Sequence, residues 1–214
     1  MKGAPLLSRF VYVVDDDRDV RLMLSYMLGE ARLQSRPFAS GTDFLAAQGE
    51  LEPGCVLLDV RMPDMDGLAV MAELERRSVG WPVVFMTGHG EVKIAVEAMK
   101  LGAIDFLQKP FSEEALLGCF ERGFALLEES SAAAGRRAEA SARIAQLTTR
   151  EREVLQCLLA GLSNKLIADR LGISLRTVEM HRGNMMERLG VDNLAEALTL
   201  AMEGGLSALQ AKTG

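Results

Sequence analysis

The chain has 214 residues, 49% of them hydrophobic and 25% charged, with a formal net charge of −6, which suits one large or two ordinary globular domains. No apolar run approaches the ~20 residues that cross a bilayer and no secretory signal is evident, so a cytoplasmic location is expected; Cys55, Cys119 and Cys157 are too scattered for a disulfide framework or metal cluster. Residues 1–130 hold 13 Lys/Arg against 21 Asp/Glu, whereas 141–214 hold 9 against 8, and this imbalance suggests two modules with different partners.

The first 128 residues alternate between two periodicities. Phe10–Val14 is a continuous apolar run, as expected of a strand buried on both faces, and residues 20–28 then carry apolar side chains at helical spacing. The alternation predicts further strands near 33–36, 55–58, 82–86 and 103–107. Helices are predicted near 42–47, 66–77 and 92–101, and from an N-cap at Ser112 to about Leu127. Five strands interleaved with five helices predict a parallel α/β sheet covered on both faces. Residues 129–142, EESSAAAGRRAEAS, contain no large apolar residue and read as a linker. Their alanines leave helical continuation open, while Gly135 counts against one unbroken helix. The second domain is placed at 143–206, and within it residues 147–206 show helical periodicity alone, with helices predicted over 150–160, 164–171, 175–189 and 194–203. Gly161, Gly172 and Gly190 stand at their ends, and Ser163, Ser174 and Asn193 stand as N-caps.

The chemistry-bearing residues of the first module sit where its strands end. Asp15, Asp16 and Asp17 follow the first strand, Asp59 closes the third, and Thr87 and Lys109 follow the fourth and fifth. In a parallel sheet these carboxyl ends share one edge, where ligands bind. Asp17 reads as the cap of the next helix. Asp15, Asp16 and Asp59 would repel one another in one pocket unless a hard cation lay between them, and oxygen ligands favour Mg²⁺. A hydroxyl and an ammonium beside them suit a phosphoryl group.

The segments VVDDD (13–17), LLDVRMPDMDG (57–67), MTGHG (86–90) and DFLQKPF (105–111) resemble a response-regulator receiver domain. The resemblance implies a flavodoxin-like fold over 8–128 with Asp59 as phosphoacceptor. It implies Mg²⁺ held by Asp16, Asp59 and the Arg61 backbone carbonyl, with Asp15 acting through water. Thr87 and Phe106 would form a switch pair, Lys109 would bind phosphate, and Lys109-Pro110 would be a cis peptide. An aspartyl phosphohydrolase is the enzyme alternative, but such enzymes carry a second acid two residues after the nucleophile, where Arg61 stands here.

In the second module, residues 163–171, Gly172-Ile173 and 174–189 read as helix, tight turn and longer helix. The segment 147–191 resembles the LuxR-type helix-turn-helix DNA-binding domain, so the whole chain resembles a two-component regulator of the FixJ/NarL type. That resemblance implies Glu179, Met180 and Gly183 toward the major groove, with Ser174, Thr177, Arg182, Asn164 and Lys165 nearer the phosphates. The final helix, with Leu194, Ala197, Leu198 and Ala201, is expected to expose an apolar face that pairs two such domains. The expected partners are a sensor histidine kinase, promoter DNA and, where phosphorylation pairs two chains rather than releasing the DNA-binding domain, a second copy of the chain, with no membrane.

Overall fold

The computed structural model describes residues 9–88 and 92–209. His89, Gly90 and Glu91, which include the end of the MTGHG motif, lie outside the described residues. The chain divides after Ser130 into two compact units. Among the described residues no helix is long and apolar enough to cross a membrane.

The first unit runs β1 (Phe10–Val14), α1 (Arg18–Glu30), β2 (Gln34–Phe38), α2 (Gly41–Ala47), β3 (Gly54–Asp59), α3 (Gly67–Arg76), β4 (Val83–Thr87), α4 (Val92–Lys100), β5 (Asp105–Gln108) and α5 (Glu113–Ala145). All strand pairs are parallel, in the order β2-β1-β3-β4-β5. Alternation along the strands feeds two cores. Tyr12, Val14, Val56, Leu58 and Phe85 pack with Phe44 of α2, Val70 of α3 and Ala98 of α4, while Val11, Val13, Leu57, Val84 and Met86 face Leu24 of α1 and Phe120 of α5. Each large apolar side chain buried this way contributes roughly 1.5–3 kcal/mol. Pro37 is tolerated because β2 is an edge strand, which needs fewer ladder hydrogen bonds. The register sets Val14 beside Leu58, Asp59 beside Met86 and Thr87 beside Gln108, so the expected site residues emerge along one edge.

One element differs from its sequence reading. Helix α5 does not stop near Leu127 but continues to Ala145, through the whole of 129–142 and past Gly135. Two causes favour this: alanine is the strongest helix former, and Ala140 and Ile144 are buried in the core of the second unit.

That unit adds α6 (Thr149–Leu159), α7 (Asn164–Leu171), α8 (Leu175–Leu189) and α9 (Leu194–Glu203) to the end of α5. Ser163, Ser174 and Asn193 cap α7, α8 and α9 as their sequence positions suggest, each side-chain oxygen accepting from the backbone N–H three residues on. Gly172 closes α7 at φ 66°, a left-handed conformation that glycine adopts without a Cβ penalty. The core unites Val154, Leu155, Ile167, Val178, Met185 and Leu189 with Ala197, Leu200 and Ala201 of α9. The α9 face expected to be exposed is therefore largely covered: Ala197 and Ala201 are fully buried, because α6 and α8 pack on α9 in the core of the unit.

Candidate functional site

Three side chains that are far apart in sequence meet at the carboxyl edge of the sheet. Lys109 Nζ donates to Asp15 Oδ2 and to Asp59 Oδ1, each at 2.7 Å. The other oxygen of each carboxylate is held by the local backbone. Asp59 Oδ2 accepts from the Arg61 N–H at 2.7 Å, and Asp15 Oδ1 accepts from the Asp17 N–H at 2.8 Å. Asp15, Asp59 and Thr87 are buried, and Thr87 ends β4 next to β5. Lys109 directly follows β5, its N–H donates to the Thr87 carbonyl at 2.7 Å and extends the β4–β5 pairing by one bond, and the Lys109-Pro110 peptide is cis.

The electrostatics of the cluster follow from its depth. Burial pushes the Asp59 carboxyl up; Lys109 opposes this, Asp15 adds to it, the Arg61 N–H counters it, and the result stays above the ordinary carboxylate range. Burial also works against the Lys109 ammonium. Its hydrogen bonds to Asp15 and Asp59 outweigh that penalty and raise its pKa. Two acids thus share one cation.

The remaining residues divide. Asp17 is the N-cap of α1, accepting from the Asp19 and Val20 N–H groups. Asp16 is exposed beside the site, and Phe106 is half-buried on β5, in register with Phe85. Among the described residues no three His, Cys, Asp or Glu side chains converge as a metal cluster. The donor chemistry nevertheless fits a hard cation. Every candidate ligand is an oxygen, and two of the carboxylates already converge on a positive charge.

Two supporting residues escaped the sequence reading. Arg21 Nη1 donates to the Asp15 carbonyl at 2.7 Å and ties the acidic loop to α1. Gly67 starts α3 against the end of β3, where an added Cβ would lie 2.4 Å from the Asp59 carbonyl oxygen. Neither contact has a local sequence signal, because each depends on how strand and helix meet.

In the second unit α7, the Gly172 turn and α8 form a helix-turn-helix. Glu179, Met180 and Gly183 lie exposed on α8, and Lys165 is exposed on α7. Arg182 and Asn164 do not stand free: Arg182 Nη1 donates to Asn164 Oδ1 at 2.5 Å and links the two helices. The Ser174 and Thr177 hydroxyls are 2.8 Å apart at the start of α8. The placement of α8 depends on a buried acid that the sequence reading missed. Glu151 accepts from the Thr148 N–H in a capping box and pairs with Arg188 of α8 at 3.2 Å. Arg143, near the end of α5, donates to the Leu189 and Gly190 carbonyls at the end of α8.

An acidic, lysine-bridged sheet edge followed by a helix-turn-helix unit defines a response regulator with a DNA-binding effector. The chain belongs to that family: residues 11–121 match the response regulator receiver domain, and residues 145–201 match the bacterial regulatory proteins of the luxR family. Within it, the chain is 41% identical over 196 residues to the transcriptional regulatory protein FixJ of Bradyrhizobium diazoefficiens, covering 92% of this chain and 96% of that one. It is 43% identical to FixJ of Azorhizobium caulinodans, covering 92% and 93%. Among solved structures, the response regulator StyR matches with a TM-score of 0.78 at 41% identity over 92% of this chain and 99% of that one. Full-length FixJ from B. japonicum matches with a TM-score of 0.58 at 41% identity over 92% and 98%.

Proposed function

We propose that this response regulator binds promoter DNA in a phosphorylation-dependent manner, with Asp59 as the phosphoacceptor. The observation that carries the reading is the convergence of Asp15 and Asp59 on Lys109 in a chain whose second unit is a helix-turn-helix. A sensor histidine kinase presents a phosphohistidine. An Asp59 carboxylate oxygen attacks phosphorus, the P–N bond breaks, and the imidazole leaves with its electron pair. Catalysis consists of positioning and charge neutralisation. The Arg61 N–H orients the Asp59 carboxylate, Lys109 meets the incoming phosphoryl oxygens, and the Thr87 hydroxyl donates a hydrogen bond to them. Asp15, Asp16, Asp59 and the Arg61 carbonyl would hold Mg²⁺, which supplies further neutralisation of phosphoryl charge when bound.

Phosphorylation then reshapes the surface of α4, β5 and the start of α5 through Thr87 and Phe106. Receivers pair through this surface and bring two helix-turn-helix units to half-sites about one DNA turn apart. Asn164, Lys165, Ser174, Thr177 and Arg182 lie toward phosphates, and Glu179, Met180 and Gly183 toward bases. The full chain is tested with acetyl phosphate and Mg²⁺, reading intact mass, light-scattering mass and duplex retention. One phosphoryl gain, a doubled solution mass and tighter DNA binding are expected in wild type and absent in Asp59→Asn. Equal uptake, or equal DNA binding, by Asp59→Asn would overturn the proposal.

A further inference from the structure

The outward face of α8 carries a charge of the wrong sign for a polyanion. Val178, Met185 and Leu189 point into the core, while Arg176, Glu179, Met180, Gly183, Asn184 and Glu187 are exposed at helical spacing. Glu179 enters no hydrogen bond or ion pair among the described residues. Duplex DNA carries one negative charge about every 1.7 Å of its axis, so an unneutralised carboxylate turned toward it weakens binding unless a base rewards it.

Major-groove base edges narrow the choice of base. Guanine offers only acceptors, and thymine an acceptor and a methyl group, so both repel or ignore a carboxylate. Adenine sets the N7 acceptor beside its amino donor, an arrangement matched by an amide and opposed by a second acceptor. Cytosine offers its N4 amino group as a donor without an adjacent ring acceptor in the groove, and a carboxylate accepts from it. One turn further along the same face, Gly183 interrupts a helix interior although a Cβ there would meet nothing within 4 Å. No packing inside the protein requires this glycine, and its bare backbone leaves clearance for an approaching groove.

We propose that Glu179 is a sequence-discriminating residue of this regulator and selects a cytosine by accepting a hydrogen bond from its N4 amino group. Gly183 admits the groove edge, and the half-exposed Met180 thioether packs on the neighbouring base. This inference rests on the reading of α8 as the helix that enters the major groove.

The test is selection from a randomised duplex pool by the full chain with acetyl phosphate and Mg²⁺, for wild type, Glu179→Ala and Glu179→Gln. Wild type should enrich a site with one invariant cytosine per half-site. Replacing that cytosine by thymine should weaken wild-type binding by roughly 5- to 150-fold and leave Glu179→Ala unchanged. Glu179→Gln, which puts an amide in place of the carboxylate, should move the preference toward adenine. If Glu179→Ala keeps the same cytosine requirement, or binds all sequences better or worse by one common factor, the carboxylate acts only through its charge and the proposal is overturned. A wild-type chain that retains no duplex would overturn the DNA-binding reading and this inference with it.

Discussion

Replacing Lys109 with methionine keeps most of the apolar stem and removes the charge that Asp15 and Asp59 share. The side chains of Lys109, Asp15 and Asp59 are 24%, 1% and 9% exposed, so solvent screens this cluster weakly. Two carboxylate oxygens, each 2.7 Å from that ammonium, lose their shared partner, and two such charges ~5 Å apart at an effective dielectric near 20 repel by roughly 3 kcal/mol. Breaking a buried ion pair on one side costs about 3–5 kcal/mol, so both routes lead to a loss of about 3 kcal/mol. The Asp59 carboxyl, already raised by burial, relieves part of that loss when it takes up a proton, so the loss grows as pH rises. Adding Asp59→Asn to Lys109→Met removes the repulsion and should recover most of the stability. Urea unfolding at pH 8, followed by Trp81 fluorescence, isolates this unit. Trp81 is the only tryptophan, and its ring stacks on Tyr12 at 5.1 Å. An unchanged midpoint for Lys109→Met, or no recovery in the double variant, would show that the three charges are not coupled as described.

Gly67→Ala forces a Cβ to 2.4 Å from the Asp59 carbonyl and 2.9 Å from the Phe85 ring, so a loss of about 1–3 kcal/mol and slower uptake of phosphoryl from acetyl phosphate are expected together. Gly183→Ala should separate two properties, raising the stability of the second unit by up to about 1 kcal/mol while weakening DNA retention; thermal melting and duplex binding on the same sample check both signs. Burial disfavours the Glu151 charge, but the Thr148 N–H and hydroxyl and then Arg188 outweigh it and hold its carboxyl below the usual value. Its stabilisation is therefore full above pH 4.5 and lost as pH falls through the lower folded value. Glu151→Ala should cost about 1–2 kcal/mol and abolish that acid-side dependence, read as loss of helical ellipticity without change in Trp81 emission.

How much of this was legible depended on whether a signal was local. An apolar pentad followed at once by Asp15 and Asp16, and a strand ending in Asp59, placed acids on a sheet edge without tertiary information. Helix starts at Ser163, Ser174 and Asn193 were equally readable, since a cap acts within three residues. The fate of α9 was not readable. Ala197 and Ala201 formed an apolar stripe with no indication that α6, some forty residues earlier, and α8 would cover it. The capping box of Thr148 and Glu151 lay open in the sequence, whereas the partner that gives Glu151 its position, Arg188, is supplied only by the fold.

Helix α5 has its two ends in different cores, with Phe120 and Phe124 near one end and Ala140 and Ile144 near the other. Every residue from 128 to 139 between them is exposed, and apart from the surface pairs of Glu128 with Arg9 and Glu139 with Arg143 this stretch rests on backbone hydrogen bonds and alanine propensity, with Gly135 as its weakest point. Amide exchange and protease access should therefore be fastest in the middle of this helix rather than at its ends. Each half of the helix is anchored in a core of its own, so its two ends should keep their protection while the middle exchanges.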